Sequence, residues 1–320
     1  MSRLTAADKP APTNDEMMTA SVLPASALAN SCRALGCEPS DLVNVRKLDK
    51  GHTNVSYIFD VRADAPGAGS YIYRHPGNGT SAIISRQREA YVQTKADELG
   101  LDGTTVAIDP QEGWKLSHFI PGAIDFDYRN PDHVAQGLAL LRRLHDAALP
   151  CPFSSDMKAS NRELARLIEE QGIADSHGLA AYAELVRLVQ EGADRDGVAS
   201  VLCHNDACDA NFLVTPGEMR LIDWEYGGLA DPGSDLASFI CGTRFAPDEV
   251  DALIAAYYGH QPSVAEHRHM IGYIALYCYH WLLWAEYQEA HGMVGNQMPA
   301  IWEEYAQAYI PRAAELYRER

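Results

Sequence analysis

The sequence predicts an α+β protein of two lobes, an N-terminal antiparallel sheet with one helix and a mostly helical C-terminal lobe that carries one short hairpin. Three observations support this class. Apolar and polar residues alternate with a period of two between Val43 and Arg74. Beyond residue 121 the apolar residues recur at helical spacing instead. Between the two regimes stands Pro121-Gly122, a pair that favours a turn. Strands first and helices afterwards is the segregated order expected of an α+β architecture.

Residues 1–24 are rich in Ala, Pro, Thr and Asp without periodicity and predict a disordered arm. The expected division is therefore the arm at 1–24, one lobe at 25–120 and the other at 121–320. VNVRKL, VSYIFDV and YIYR read as three antiparallel strands, separated by GHTN and DAPGAGS, whose Gly, Asn and Pro suit turns. A helix is expected from Ser81 to Leu99, and WKLSHFI then reads as a strand that stops at Pro121. Asn130-Pro131 is a cap and first-turn pair for a helix through DHVAQGLALLRRLHDAAL. Further helices are expected over 161–171 and 177–191. NFLVT and MRLIDW, joined at Pro216-Gly217, predict a hairpin that places Asn211 and Asp223 near opposite ends of one strand pair.

Composition narrows the class of function. A chain of 320 residues, 47% hydrophobic, can bury a sizeable core. With 44 acidic and 26 basic residues its net charge is -18, which repels nucleic-acid phosphates and suits a cationic ligand or simple solubility. The longest apolar run, Ile271 to Ala285, is interrupted by His280 and is shorter than the roughly 20 residues of a membrane span. It predicts a buried helix. No apolar core follows the first charged residues, so the expected location is the cytoplasm. Seven scattered cysteines without a CxxC pair read as reduced thiols.

CHNDACDANFLVTPGEMRLIDWEYG, from Cys203 to Gly227, concentrates the chemistry. Asp206 and Asn211 are separated by four residues, and Asp223 follows the hairpin. In a protein-kinase catalytic loop, an Asp takes the proton of the substrate hydroxyl, an Asn binds magnesium, and a second Asp holds magnesium against the nucleotide phosphates. The segment resembles the choline and ethanolamine kinase branch of the aminoglycoside phosphotransferase superfamily, through HND, NFL and IDWEY. The resemblance extends from about Leu48 to the C-terminus.

It implies a two-lobed protein-kinase-like fold, with a nucleotide-binding N-lobe and a catalytic C-lobe using ATP and Mg2+. Asp206 would handle the proton, with Asn211 and Asp223 as metal ligands. His204 is expected to buttress the loop and Asp235 to hold it from behind. Glu225, two residues beyond Asp223, would assist either the metal or the substrate. For the nucleotide, the resemblance implies a phosphate loop at GHTN with Asn54 as its side chain. It also implies an ion pair of Arg74 with Glu89, and adenine contacts from the backbone of Ser117, His118, Phe119 and Ile120. A Walker A motif is lacking in the sequence.

Tyr277, Trp281 and Trp284 are spaced i, i+4, i+7, on one helical face. Such a stripe is ordinarily core, but aromatic faces also hold a quaternary ammonium, which has no hydrogen to donate. WLLW resembles the W..W motif of the choline site, and EYAQA implies Tyr305 as a third wall. Choline is thus the first expected substrate. Ethanolamine, another small alcohol such as thiamine, or an aminoglycoside are the enzymatic alternatives, and a silent nucleotide-binding protein is the alternative outside catalysis.

Overall fold

The computed structural model describes residues 23–48, 54–77, 84–292 and 298–319. The expected arm therefore falls almost wholly outside the described residues, as do Gly51 to Thr53 of the GHTN turn and residues 81–83 of the expected first helix. The described residues form two compact units, one from those up to 93 with 103–122 and the other from 94–102 with those from 123 onward.

The first unit is built on a five-stranded antiparallel sheet, β1 (Leu42–Leu48), β2 (Asn54–Val61), β3 (Gly69–Pro76), β4 (Thr105–Ile108) and β5 (Lys115–His118), in the order β1-β2-β3-β5-β4. Its core packs Phe59, Val61, Tyr71, Tyr73 and Leu116 with Ala27 of helix α1 (Ala25–Leu35). Period-two alternation makes this possible, since alternate side chains of a strand share one face. Strand β4 was not expected, because four residues are too few to display a period. Helix α2 (Arg86–Glu98) begins later than the expected Ser81, with Ile84 and Ser85 non-helical.

In the second unit, α3 (Pro131–Asp146) starts as expected, with the Asn130 side chain accepting from the amides of Asp132 and His133. Helix α4 is Met157–Gln171, whereas the helix expected from His177 starts later, as α5 (Ala183–Asp196). The left-handed Gly178, φ 69°, and a 3-10 turn over Leu179–Tyr182 precede it. Three-residue strands β6 (Val201–Cys203) and β9 (Gly228–Ala230) pair antiparallel and flank the catalytic segment. Between them β7 (Phe212–Thr215) and β8 (Glu218–Leu221) form the expected hairpin. The remaining described helices are α6 (Gly233–Ile240), α7 (Pro247–Tyr258), α8 (Val264–Ala290) and α9 (Met298–Arg318).

Helix α8 is the hub, packed by α4, α5, α6 and α9, and it is continuously buried from His269 to Tyr279. His280 is accommodated by a 2.7 Å hydrogen bond to Asn161 Oδ1, and burial lowers its pKa to about 4, so it stays neutral. No helix of the described residues is long and apolar enough to cross a membrane.

Buried charge also fastens this unit. His269 on α8 is held between Asp196, 3.1 Å from Nδ1, and Asp231, 2.9 Å from Nε2. Burial works against the imidazolium, but hydrogen bonds and charges from Asp231 and Asp196 raise its pKa above the ordinary histidine value. A raised folded-state pKa contributes stability below the unfolded value near 6.5, and that contribution is lost as pH rises through the folded value. Unfolding free energy in urea should therefore fall as pH rises from about 6.5 through the raised folded-state value, and His269→Gln should flatten that slope. An unchanged slope in the variant would assign the pH dependence to other groups.

Candidate active site

The catalytic segment leaves β6 at Cys203 and passes through two non-glycine residues in the left-handed region, Asn205 at φ 65° and Asp223 at φ 67°. Such conformations persist where the surroundings over-determine them. Asn205 meets that condition, because its Nδ2 donates to Tyr226 O at 3.1 Å and its Oδ1 accepts from Ser234 Oγ at 2.7 Å. His204 is fully buried, and its Nε2–H donates to Ile222 O at 2.9 Å while Nδ1 accepts from the Asp206 amide at 3.2 Å. Burial lowers the His204 pKa, so the ring is neutral and acts as the buttress expected. Asp235 on α6 accepts from the amide of His204 at 2.8 Å and from that of Asn205.

Asn211 turns its amide nitrogen toward Asp206, donating to Oδ2 at 3.0 Å and to the backbone oxygen at 2.7 Å. That orientation directs Asn211 Oδ1 away from Asp206. The hairpin does not separate Asn211 from Asp223 as expected. Phe212 pairs with Leu221 and the Ile222 amide donates to Asn211 O at 2.9 Å, which brings both residues to the same open end. In an antiparallel pair joined by a tight turn, the residue entering the first strand lies beside the residue leaving the second.

Burial first, and then the charge of Asp223, raise the Asp206 pKa to about 7, with Glu225 adding to the effect and the Asn211 hydrogen bond opposing it. Three carboxylates thus share one region, and Glu225 is itself buried. Concentrated negative charge beside an amide oxygen fits a hard divalent cation bound through oxygen.

The aromatic stripe adjoins this cluster. The Tyr277 hydroxyl donates to Ser238 Oγ at 3.2 Å, and after burial the Asp206 charge is the largest influence raising its pKa. From Tyr277 the rings continue to Trp281 at 6.0 Å and to Trp284, 5.4 Å farther on. Two rings not named from the sequence join them. Trp302 of α9 stacks on Trp281 at 5.5 Å, and Tyr226 of the DWEY segment meets it edge-on at 6.3 Å.

Tyr305 does not form the third wall. Its ring stacks on Tyr309 at 5.4 Å, and its hydroxyl bonds to the backbone of Thr243 and Phe245 at 3.0 Å each. Trp302, one turn earlier on α9, is the ring of that helix that stacks on the stripe. The available sequence signal was the i, i+3 spacing of WEEY, which puts both rings on neighbouring faces.

In the first unit, Arg74 and Glu89 form a buried ion pair, and Arg86, unremarked in the sequence, adds a second guanidinium 3.0 Å from Glu89. Lys115, cross-strand from Arg74, bonds to Gln93. Asn54 opens β2 opposite Pro76. Of the segment expected to meet adenine, Ser117 pairs with Ile72 and Thr105 in the sheet. The His118 and Phe119 amides donate to Thr104 O and Ser70 O, both at 2.8 Å. Those two amides are committed within the sheet and cannot also donate to a base, which leaves the carbonyls and the Ile120 backbone for that role.

A buried Arg–Glu pair beside an antiparallel sheet, with an Asp/Asn/Asp cluster on a hairpin in a helical unit, defines a phosphotransferase of the protein-kinase-like fold. The chain belongs to the phosphotransferase enzyme family, whose model matches residues 50–270. Protein LicA of Haemophilus influenzae is 24% identical over 234 residues, covering 69% of this chain and 68% of LicA. Among solved structures, the choline kinase LicA from Streptococcus pneumoniae superposes with a TM-score of 0.72 at 24% identity, over 90% of this chain and 98% of that one. A LicA structure in complex with AMP matches with a TM-score of 0.67 at 25% identity, over 85% and 92%.

Proposed function

We propose that this protein is a choline kinase, transferring the γ-phosphate of ATP to the choline hydroxyl to give phosphocholine and ADP. The observation that carries the reading is the adjacency, within one unit, of Asp206 to an aromatic wall running from Tyr277 through Trp281 to Trp284 and Trp302. A trimethylammonium group rewards ring faces, each worth roughly 0.5–2 kcal/mol, and the wall would leave the hydroxyl directed to the carboxylate.

In this reading Asp206 orients the hydroxyl and accepts its proton as the bond to phosphorus forms. A pKa near the working pH suits that task, because a substantial share of the base is free and it retains affinity for the proton. Asn211 and Asp223 would hold Mg2+, which supplies charge neutralisation at the phosphates. Arg74, kept charged and oriented by Glu89, would take the phosphates, with Asn54 at the phosphate turn and Ser117 to Ile120 along the adenine. The cytoplasm is the proposed location, a reading supported by the use of ATP and by seven free thiols.

Ethanolamine is the second reading, favoured by one observation: the buried Glu225 near Asp206 offers an acceptor that a primary ammonium can use and choline cannot. A coupled ADP-release assay with MgATP against choline, ethanolamine, thiamine and an aminoglycoside, with Asp206→Ala as blank, decides among them. Choline is expected to show the highest kcat/KM. A higher value for ethanolamine would reverse the assignment, and turnover of thiamine or the aminoglycoside alone would discard the aromatic site while keeping the chemistry. Silence across the panel, without Mg2+-dependent ATP binding, would end the kinase reading.

A further inference from the structure

The segment between α4 and α5 is fastened to both helices that carry the aromatic wall. Gly172 ends α4 in the left-handed region at φ 63°, and Gly178 opens the 3-10 turn before α5. Between them the chain reaches Glu286 of α8, a buried residue that accepts from the amide of Ser176 at 2.6 Å and from that of His177 at 3.3 Å. A buried carboxylate needs such donors, and hydrogen bonds to a charged acceptor are the strong kind. The backbone of His177 is thereby tied to α8.

Its side chain is tied to α9. Only 9% of that side chain is exposed, and Nδ1 lies 2.7 Å from Glu303 Oε1. The ionised carboxylate can only accept, so Nδ1–H is the donor. Nε2 lies 3.4 Å from Glu289 Oε2, about one turn beyond Glu286 on α8. Glu303 follows Trp302 directly, and Glu286 stands two residues beyond Trp284. One residue thus spans the two helices beside their indoles. Trp302 lies near the start of α9, whose first residue is Met298. Helix ends fray, so side-chain contacts decide how firmly such a turn is held.

We propose that His177 is a specificity-determining positioning residue for the choline site: it brackets α8 to α9 and so holds the Trp302 ring against Trp281, which sets how closely the aromatic wall fits a methylated ammonium. The proposal rests on the choline reading above. Trp302 stacks on Trp281 with 26° between the ring planes, and its buried Nε1 has no hydrogen-bond partner among the described residues. Apolar packing is non-directional, so the placing of the indole follows the placing of its helix, and the His177–Glu303 bond supplies a directional hold one residue away. The consequence is selective. Choline has no N–H to donate and depends on ring faces, whereas the ammonium of ethanolamine can also use carboxylates. A loosened Trp302 should cost choline more than ethanolamine and leave the chemistry at Asp206 in place.

Steady-state kinetics of His177→Ala, His177→Asn, His177→Gln and Glu303→Ala test the bracket, with Trp302→Phe as the reference for a lost stack. His177→Ala is expected to raise the KM for choline roughly 3- to 30-fold, the worth of one ring face, with kcat and the KM for MgATP within about twofold. The KM for ethanolamine should rise less. Far-ultraviolet circular dichroism should lose part of the exciton signal of the stacked indoles, toward the level of Trp302→Phe. His177→Asn carries an N–H near the Nδ1 position and should restore the KM for choline by bonding Glu303. His177→Gln carries it near Nε2, on the Glu289 side, and should not. Glu303→Ala should match His177→Ala, and it carries the comparison if His177→Ala fails to fold. A choline KM raised less than about threefold in both alanine variants, an equal rise for choline and ethanolamine, or recovery as full in His177→Gln as in His177→Asn overturns the role of His177 alone. Absence of choline turnover by the unaltered protein overturns the choline reading and the role together, so the two failures are distinct.

Discussion

Asp206→Asn is expected to lower kcat by at least about a thousandfold while leaving the affinity for MgATP within a fewfold of the unaltered protein. General-base catalysis contributes about 10²- to 10⁴-fold, and the amide keeps the shape of the carboxylate while removing its basicity. Its oxygen can still accept from Asn211 Nδ2, which lies 3.0 Å from the present Oδ2, so the loop should keep its conformation. The same substitution removes one of three crowded carboxylates. Burial and the neighbouring charges of Asp223 and Glu225 disfavour ionised Asp206, so the variant should melt at the same temperature or a few degrees higher, as is common where catalysis requires an unfavourable arrangement. ADP release, calorimetric ATP titration and thermal melting together check this. Retention of more than a tenth of kcat would remove Asp206 from its role.

Trp281→Leu is expected to raise the KM for choline by about 10- to 100-fold, with the KM for MgATP changed by less than about twofold. Trp281 meets Tyr277, Trp284, Trp302 and Tyr226, so it is the ring on which the others converge. Leucine keeps much of the apolar volume and removes the π face. Loss of that face, with looser neighbours, amounts to roughly 1.4–2.8 kcal/mol, and each 1.4 kcal/mol is tenfold in affinity. Trp281→Phe should fall between the two. Ethanolamine should be less affected, because its ammonium can still donate to carboxylates. Equal increases for choline and MgATP would mean that the stripe is packing and that choline binds elsewhere.

The candidate catalytic residues are legible in the sequence because they lie at a fixed spacing in one local stretch, Cys203 to Gly227. The three strands from Val43 to Arg74 and the capped start of α3 are legible for the same reason, since alternation and an Asn-Pro pair act over a few residues. Three short strands are not. Strands β4, β6 and β9 have three or four residues each and show no period, so only their pairing partners reveal them. The late start of α5 follows from backbone geometry at Gly178, which the pattern of apolar residues does not record.

The sequence by itself determined the α+β order of elements, the Asp206, Asn211 and Asp223 set, and the stripe of Tyr277, Trp281 and Trp284, because each is a matter of local periodicity or spacing. Tertiary structure alone decided that Trp302 rather than Tyr305 stacks on the stripe, that Asn211 and Asp223 share one end of their hairpin, and that His145 reaches Asp235. Helical spacing fixes which residues share a face, but the rotation of α9 against α8 chooses which of those faces meets the partner. That choice depends on how buried side chains interlock across the packed helices, among residues far apart in the chain.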